Sequence, residues 1–444
     1  MNKENISKLI LFFLIPVQLL IFTFLVPPFQ KPDEQAHFEK ALIISKGYLF
    51  CQKKSNNTVP LEKKYIDFIK NPYLDLLTHG GSSKLPLAVF LKDLFSNNQS
   101  DKKINFNIDH LCSFPVISYL PQAFTLLITS IFRLNPILSL YFGRLVMSVL
   151  GYFWFLYLYR KIIDDYRLIL LFTFALPMTL HQISSLSYDV LHIMLALTFF
   201  VLIMNYRLIK KVNYWQYFKL FFVLFLFLWS KKIGYETFFL FLFLIPFEIK
   251  PMIILSLIFI PFYFLSKLSG SYDLQYSLND QIINPLSQLS FLLSNPIDII
   301  KVIVITTVHR LSFYLQSLIG IFGWLEYGLD PLSYLLYGLF FVYLIITVNF
   351  QKKLKFNNRK NILLFVFLAV SYIYIILLAY IFNTVPGTLT AHGVQGRYFI
   401  PFLPFIILLI VQIKDSVIFQ KILYCLIIMF LISATFYSVF NRYY

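Results

Sequence analysis

The chain has 444 residues, of which 59% are hydrophobic, and its mean hydropathy is +0.73. A water-soluble fold cannot bury that much apolar surface, so the composition excludes a soluble globular protein and predicts an all-α polytopic membrane protein. The formal net charge of +17 is spread over short segments between apolar runs. This distribution favours a topological charge bias over a nucleic-acid-binding face.

Two adjacent carboxylates follow the first apolar run. Residues 7–27 are apolar enough to span a membrane, and we interpret them as an anchor because no small-residue cleavage site precedes Pro27. Asp33 and Glu34 come shortly after three prolines and close to His37. Charges near hydrocarbon are costly unless they coordinate an ion, pair with a cation or take a proton. This segment is therefore a candidate for chemistry, and the alternative is the solvated start of a loop.

Residues 29–136 are predicted to form the first outer loop. The start of this loop is amphipathic and residues 85–90 are apolar, which indicates helices lying on the membrane. Residues 117–132 are apolar enough to cross, but a crossing there would invert the later charged loops. We therefore predict a re-entrant or interfacial helix at the outer side. Cys51 and Cys112 can pair only if both lie in an oxidising compartment.

Ten further apolar runs give about eleven crossings in a single integral membrane domain, residues 1–444. These runs lie at residues 137–159, 167–184, 188–206, 215–230, 234–248, 251–267, 330–349, 362–381, 399–413 and 418–438. This register places the strongly cationic loops on the cytoplasmic side, as the positive-inside rule requires. A second outer segment, residues 268–329, contains an apolar helix with His309 and Arg310 that is a further candidate for entry into the bilayer.

Charged residues within or beside the apolar runs are functional candidates. Arg144 lies in the second span, where it can bind a phosphate group, form an inter-helix ion pair or extend to the membrane surface. Asp189 lies at an outer turn, where a helix N-cap is the simpler role. Lys231 and Lys232 close a span on the predicted outer face, against the charge rule, which favours an anionic partner.

Residues 395–401 are predicted to enter a late span from the outer side. Arg397 follows Gly396 there and can bind two phosphate oxygens, or it can pair with one of the outer carboxylates. For His37 and His181, ordinary hydrogen bonding is the favoured role over metal coordination. Walker, H-E-x-x-H and Cys-x-x-Cys motifs do not occur in the sequence, so ATP-driven transport and zinc proteolysis lack their usual signatures.

Together these motifs, in this order, resemble a bacterial family of polytopic membrane proteins classified as domain of unknown function 2142. The likeness extends over almost the whole chain. It rests on Pro28 to His37, Pro115 to Pro121, Gly143-Arg144-Leu145, Ser187-Tyr188-Asp189, Lys231-Lys232 and Gln395 to Pro401.

That family in turn resembles the GT-C membrane glycosyltransferases, and this resemblance implies a helical bundle with juxtamembrane helices in the first outer loop. It implies a carboxylate in that loop, here Asp33 or Glu34, as the base or as a ligand of a divalent cation such as Mg²⁺ or Mn²⁺. It also implies a polyprenyl-phosphate sugar as donor, a glycan or glycolipid as acceptor, and a location in the bacterial inner membrane.

The sequence and the resemblance together give a mechanistic hypothesis. Asp33 takes the acceptor proton, with Glu34 orienting it or sharing a cation. Cationic side chains neutralise the lipid phosphate as the glycosidic bond breaks, in an inverting displacement at the outer face of the membrane. The predicted phosphate-binding residues are Arg397, Lys231, Lys232, Arg144 and Tyr398, with His37, Tyr188, Asp189 and Gln395 supporting them. The alternatives are a flippase or transporter of a lipid-linked saccharide, and a polysaccharide polymerase.

Overall fold

The computed structural model describes the chain except for residues 1–5, 7, 52–56, 80–82, 97–99, 232–233, 247, 269–275, 279–280, 350–357, 386 and 411–417. Lys232 thus lies outside the described residues. The fold is mostly helical. From the first residues to the first long helix, the α-helices are α1 Ile15–Phe24, α2 Glu34–Ser45, α3 Lys63–Ile69, α4 Pro72–His79, α5 Leu87–Phe95, α6 Leu120–Ile131 and α7 Pro136–Lys161.

The second half of the chain is also built from helices. They are α8 Arg167–Phe174, α9 Pro177–Ile183, α10 Asp189–Tyr206, α11 Tyr214–Trp229, α12 Ile249–Leu268, α13 Pro285–Ser294, α14 Pro296–Gly320, α15 Pro331–Asn349, α16 Asn358–Asn383, α17 Leu403–Ile410 and α18 Ile418–Tyr443. A π-helical stretch, Ile10–Leu14, leads into α1. The 3₁₀ helices are Asp109–Leu111, Val116–Tyr119, Asp164–Tyr166, Glu236–Leu244 and Gly396–Phe402.

The strands form three antiparallel pairs. The first pair lies in the predicted first outer loop and joins β1 Thr58–Glu62 to β2 Lys103–Asn107, with Thr58 opposite Asn107. The other two are short: β3 Tyr276–Leu278 pairs with β4 Gln281–Ile283, and β5 Ile321–Phe322 pairs with β6 Tyr327–Gly328. In the described part of the chain, each sheet thus has only two short strands.

Five helices in the described residues are long and apolar enough to cross a membrane, which supports a multi-pass fold. They comprise α7, α10 and α14, with most of α16 and α18. Proline and asparagine define several of their starts, since proline needs no helical N–H partner at the first position. At α7, for example, Pro136 follows Asn135, whose side-chain oxygen accepts a hydrogen bond from the Ile137 amide at 2.8 Å.

The predicted span at 167–184 is broken in the structure. Helices α8 and α9 meet at an angle of 74°. The break falls at Leu176, which has an extended backbone and precedes Pro177, and a residue before proline disfavours the helical conformation. Counted as one span, the bent pair raises the number of candidate crossings from five to six.

The predicted span at 234–248 contains a 3₁₀ helix, Glu236–Leu244, in place of an α-helix. This segment runs antiparallel to α11. Tyr217, near the start of α11, donates a hydrogen bond to the Pro246 carbonyl, after the end of the 3₁₀ helix, at 2.5 Å. At the same end, Lys360 at the start of α16 donates to the Leu244 carbonyl at 3.1 Å. The segment therefore extends from the end of α11 back to its beginning.

Helix α6 covers most of residues 117–132, for which an interfacial helix is predicted. Its 12 residues extend about 18 Å, less than the hydrocarbon thickness of about 30 Å, so it is too short to cross alone. One face carries exposed apolar side chains at helical spacing, Leu120, Phe124, Leu127 and Ile131. The opposite face packs against α2 and α7. These dimensions fit a helix lying at a membrane surface.

A disulfide joins Cys51 and Cys112, two cysteines separated by 61 positions. Cys51 lies in the segment that follows α2, and Cys112 directly follows the 3₁₀ helix Asp109–Leu111. The β1–β2 pair lies between these two cysteines in sequence. The predicted first outer loop is therefore a folded unit held by a covalent cross-link.

Candidate functional site

The two adjacent carboxylates point to different partners. Glu34 is fully buried and forms an ion pair with Arg144 of α7. The Arg144 Nε donates to Glu34 Oε1 at 2.8 Å, and Arg144 Nη2 donates to Glu34 Oε2. Burial opposes ionisation of Glu34, but the Arg144 guanidinium holds the pKa of this carboxyl below its ordinary value.

Arg144 uses its remaining donors on the backbone where the chain leaves α1. It donates to the carbonyl of Val26 at 2.5 Å and to that of Pro27 at 2.9 Å. The Arg144 side chain is completely buried, and each of its three nitrogens has an acceptor. Of the roles that the sequence leaves open for Arg144, the inter-helix ion pair is the one that the structure shows.

Asp33 instead faces Arg397, 364 positions away in sequence. Arg397 Nη2 lies 3.2 Å from Asp33 Oδ2. The Asp33 side chain is 49% exposed, whereas that of Arg397 is 7% exposed. The pair thus combines an accessible carboxylate with a buried guanidinium.

Local backbone geometry sets the direction of Asp33. Its φ is +56° and its ψ is +15°, the left-handed conformation, which aspartate adopts more readily than most residues. Asp33 is the N-cap residue of α2, but its side chain makes no capping hydrogen bond. Because the carboxylate does not cap the start of α2, it is available to pair with Arg397.

Arg397 is positioned by close packing of backbone on backbone. It lies in the 3₁₀ helix Gly396–Phe402, and the Gly396 amide donates to Ser317 Oγ of α14 at 2.8 Å. A Cβ atom at Gly396 would lie 2.1 Å from the Leu318 amide nitrogen and 2.2 Å from the Tyr314 carbonyl oxygen. Only glycine fits at this contact. The contact fixes the position of the 3₁₀ helix on α14, and thereby the position of Arg397.

Lys231 lies among three tyrosines. Its Nζ is 4.7 Å from the ring centroid of Tyr398, 5.2 Å from that of Tyr188 and 5.4 Å from that of Tyr235. It also forms an ion pair with Asp189 Oδ1 at 3.0 Å. Burial disfavours the charge, but Asp189 beside it holds the pKa of Lys231 above its ordinary value. Lys231 is therefore a largely buried cation, surrounded by aromatic rings and paired with a carboxylate.

The two cationic centres are neighbours. The Tyr398 ring lies 4.7 Å from Lys231 Nζ and 5.6 Å from the Arg397 guanidinium carbon. On the other side, Tyr188 packs against His37 with ring centroids 4.8 Å apart. The cluster therefore brings together residues from α2, the start of α10, the end of α11 and the Gly396–Phe402 helix.

His37 is buried within this cluster. Its Nδ1 lies 2.6 Å from the Tyr119 hydroxyl. Burial lowers the pKa of His37 to about 4, so the ring is neutral at pH 7. Hydrogen bonding is thus the role of His37 that the structure shows. Gln395 precedes the Arg397 helix, and its side-chain oxygen is buried without a hydrogen-bond partner among the described residues.

A family model described as a predicted membrane protein, DUF2142, matches residues 17–406. The chain belongs to this family. The matched range includes every residue of the cluster, from Asp33 to Tyr398. No curated protein matches the chain, and no protein of known structure matches it.

A shared divalent cation does not fit the observed arrangement of Asp33 and Glu34. Both oxygens of Glu34 are bound by Arg144, and Asp33 faces Arg397. Mg²⁺ and similar ions need several oxygen ligands around one point. A divalent cation therefore remains a prediction.

Lys31 is a buried residue of this region that the sequence analysis missed. Its Nζ donates to the carbonyl of Ser184 and to Ser184 Oγ, the latter at 2.7 Å. Burial, reinforced by Arg144, lowers the pKa of Lys31 well below its ordinary value. A lysine directly after a span on the predicted outer side violates the charge rule, and that violation is the signal that could have identified it.

Proposed function

We propose that the chain is a GT-C-type glycosyltransferase that transfers a sugar from a polyprenyl-phosphate donor to a glycan or lipid-linked acceptor. The observation that carries the proposal is the Asp33–Arg397 pair. An accessible carboxylate and a buried guanidinium, 3.2 Å apart, are the two groups that such a transfer needs at one point. One accepts a proton from the attacking hydroxyl, and the other stabilises the departing phosphate.

In the proposed reaction, the acceptor hydroxyl oxygen attacks the anomeric carbon of the donor sugar. The new glycosidic bond forms as the bond between that carbon and the phosphate oxygen breaks, and the electron pair of the broken bond stays on the polyprenyl phosphate. The hydroxyl proton passes to Asp33. One displacement inverts the anomeric centre and needs a single carboxylate, which agrees with Glu34 being committed to Arg144.

The charges around Asp33 suit this reaction. Arg397 can bind two phosphate oxygens through its planar donors. Lys231 adds a second positive charge behind the Tyr398 ring, at 4.7 Å from its centroid. In this proposal, Lys231 acts through the field of the cluster because its Nζ is already paired with Asp189. Arg144 contributes by holding the loop that carries Asp33.

We further propose about eleven crossings, with the cluster at the outer face of the bacterial inner membrane. The Cys51–Cys112 disulfide supports an outer first loop, because disulfides persist in oxidising compartments. The 3₁₀ segment that runs back along α11 supports a crossing at 234–248. A lipid-borne donor would explain why the cluster is built from the ends of membrane helices.

The test is transfer by the purified chain in nanodiscs with a labelled polyprenyl-phosphate sugar and a set of candidate acceptors. Asp33→Asn is expected to abolish transfer while insertion and folding remain normal, because the amide cannot take the proton. The matched control is Glu326→Gln, which removes a carboxylate paired with Arg442 at 2.7 Å. Wild-type turnover by the Asp33→Asn variant would refute Asp33 as the base.

A carrier for a lipid-linked saccharide is the second candidate, and the 74° break between α8 and α9 favours it, because transporters build their sites from broken helices. Vesicles distinguish the two functions. Movement of the labelled lipid between leaflets without cleavage of its sugar–phosphate bond would identify a carrier, and net transfer to an acceptor would identify the enzyme.

A further inference from the structure

The two arginine–carboxylate pairs of this region differ in how completely the arginine is used. Arg144 donates to both oxygens of Glu34 and to the backbone carbonyls at the end of α1. Arg397 donates to Asp33 through Nη2 alone. Its Nε is buried and has no hydrogen-bond partner among the described residues. A buried guanidinium N–H without an acceptor is unfavourable, so Arg397 is not satisfied in this state.

The carboxylate side of the pair is also loosely held. Asp33 is half exposed, and in the described part of the chain its carboxylate accepts this single hydrogen bond, at 3.2 Å. An ion pair with one exposed partner contributes little, because water competes for the carboxylate. The Asp33–Arg397 pair can therefore be opened by a ligand that satisfies Arg397 better.

Resting on the function proposed above, we propose that the donor phosphate displaces Asp33 from Arg397 and thereby releases the base. A phosphate group offers two oxygens to the fork formed by Nε and Nη2, whereas Asp33 reaches Nη2 alone. Displacement frees Asp33 Oδ2 to accept the acceptor proton. Asp33 is thus occupied before the donor binds and available afterwards, which makes donor binding the first step of an ordered reaction.

This mechanism has a consequence for donor affinity. In the wild-type chain the phosphate must compete with Asp33 for Arg397, so its apparent affinity is the intrinsic affinity multiplied by the fraction of molecules in which the pair is open. Removing the carboxylate should tighten phosphate binding although it abolishes transfer. If Asp33 only repelled the phosphate, removing Asp33 would also tighten phosphate binding. That effect would persist in a variant that lacks Arg397.

A double-mutant cycle separates these explanations. The probe is labelled undecaprenyl phosphate, with undecaprenol to measure binding of the lipid tail, and the protein is the full chain in phosphatidylcholine nanodiscs. Asp33→Asn is expected to lower the dissociation constant of the phosphate about fivefold, the effect of an ion pair with one exposed partner. Arg397→Gln is expected to weaken binding by tenfold or more, and the double variant is expected to bind as Arg397→Gln does.

Two outcomes would overturn the inference. One is a dissociation constant for undecaprenyl phosphate that is the same in Asp33→Asn as in wild type. The other is that Asp33→Asn tightens binding as much in the Arg397→Gln background as in wild type. Glu326→Gln, the matched carboxylate-to-amide control, is expected to leave binding unchanged. If wild type transfers sugar but the cycle shows no coupling, the release mechanism fails and the proposed function stands. If undecaprenyl phosphate binds no better than undecaprenol, the proposed function fails as well.

A measurement on the wild-type chain covers the case in which Asp33→Asn does not fold. Carbodiimide-driven coupling of an amine to Asp33, quantified by peptide mass spectrometry, reports whether the carboxylate is free. Saturating undecaprenyl phosphate is expected to raise the coupling rate at Asp33 severalfold and to leave that at Glu326 unchanged. A coupling rate at Asp33 that does not rise would contradict release.

Discussion

At the residue scale, Arg144 and Arg397 show that burial alone does not identify a binding residue. Both are buried arginines paired with consecutive carboxylates of one segment. Arg144 has an acceptor for each nitrogen, whereas the buried Nε of Arg397 has no acceptor among the described residues. In the proposed function, Arg144 accordingly has a structural role and Arg397 binds the ligand.

The structural role of Arg144 predicts that removing its partner Glu34 destabilises the fold much more than removing a more exposed paired carboxylate. Glu34→Gln leaves the buried Arg144 charge uncompensated and is expected to cost about 3–5 kcal/mol of unfolding free energy. Unfolding by SDS titration in mixed micelles measures the loss. Glu326→Gln, which breaks the more exposed pair with Arg442, is expected to cost about 1 kcal/mol or less. Equal losses in the two variants would contradict a structural role specific to Glu34.

A second prediction concerns pH and His37. The pKa of His37 is about 4 in the folded chain against an ordinary value of 6.5, because burial disfavours the charged ring. Between these values the unfolded chain binds a proton that the folded chain does not. The contribution of neutral His37 to the free energy of unfolding is therefore fully present above pH 6.5, and it decreases as the pH drops towards 4.

Comparison with a non-titrating variant isolates this effect from other groups. His37→Gln keeps a side chain that can hydrogen-bond to the Tyr119 hydroxyl, and it does not titrate in this range. Its unfolding midpoint is expected to fall less than that of wild type between pH 6.5 and pH 4.5. Parallel curves for the two proteins would show that His37 is not the group responsible.

The sequence predicted most members of the cluster but not their partners. Lys231 violates the positive-inside rule, and Asp33 and Arg397 are charged residues beside apolar runs, so position in the sequence identifies each of them. Which carboxylate meets which arginine depends on the direction of each side chain. Asp33 and Glu34 are adjacent in sequence, but Asp33 has a left-handed backbone and Glu34 begins the helix, so they diverge. No periodicity in the sequence encodes that difference.

At the element scale, the 3₁₀ helix Gly396–Phe402 connects the α14 backbone to Arg397. A methyl group at Gly396 would meet the Leu318 nitrogen at 2.1 Å and the Tyr314 oxygen at 2.2 Å. Neither backbone atom can move without displacing α14. Gly396→Ala is therefore expected to shift the helix and to lower transfer at least tenfold, measured in the nanodisc assay.

The matched control is Gly338→Ala in α15, where an added methyl group has no neighbour within 4 Å. It is expected to leave activity unchanged and to increase stability slightly, because alanine favours a helix over glycine. Full activity of Gly396→Ala would show that the contact with α14 does not position Arg397.

Hydrophobic length predicted the long helices, but it did not predict the local backbone geometry of two other apolar runs. The runs at 137–159 and 188–206 correspond to long helices, α7 and α10. The run at 167–184 has the same hydrophobic character but contains Pro177, and it bends by 74°. The run at 234–248 forms a 3₁₀ helix, for which hydropathy gives no signal because it counts apolar residues and not hydrogen-bond pattern.

At the scale of the whole molecule, helix ends from distant parts of the chain must lie on one side of the membrane for the cluster to act on an extracytoplasmic glycan. The Cys51–Cys112 disulfide favours the outer side for the first loop. The position of α14 is the remaining question of topology, because it is apolar and long enough to cross. Its neighbour α13 contacts the end of α16, where Gln288 donates to the Thr384 carbonyl at 3.0 Å. That contact favours an outer position for the start of α14.

Single cysteines at exposed positions test this arrangement in a Cys425→Ser background that retains the disulfide. In intact cells, a membrane-impermeant maleimide is expected to label Asn105→Cys on β2 and Lys301→Cys near the start of α14. It is expected to label Lys161→Cys at the end of α7 only after lysis, because the proposed topology places the cationic loop there on the cytoplasmic side. Labelling of Lys301→Cys only after lysis would mean that α14 crosses the membrane. Protection of Asn105→Cys in intact cells would place the Asp33–Arg397 pair on the cytoplasmic side, where an acceptor on the cell surface could not reach it.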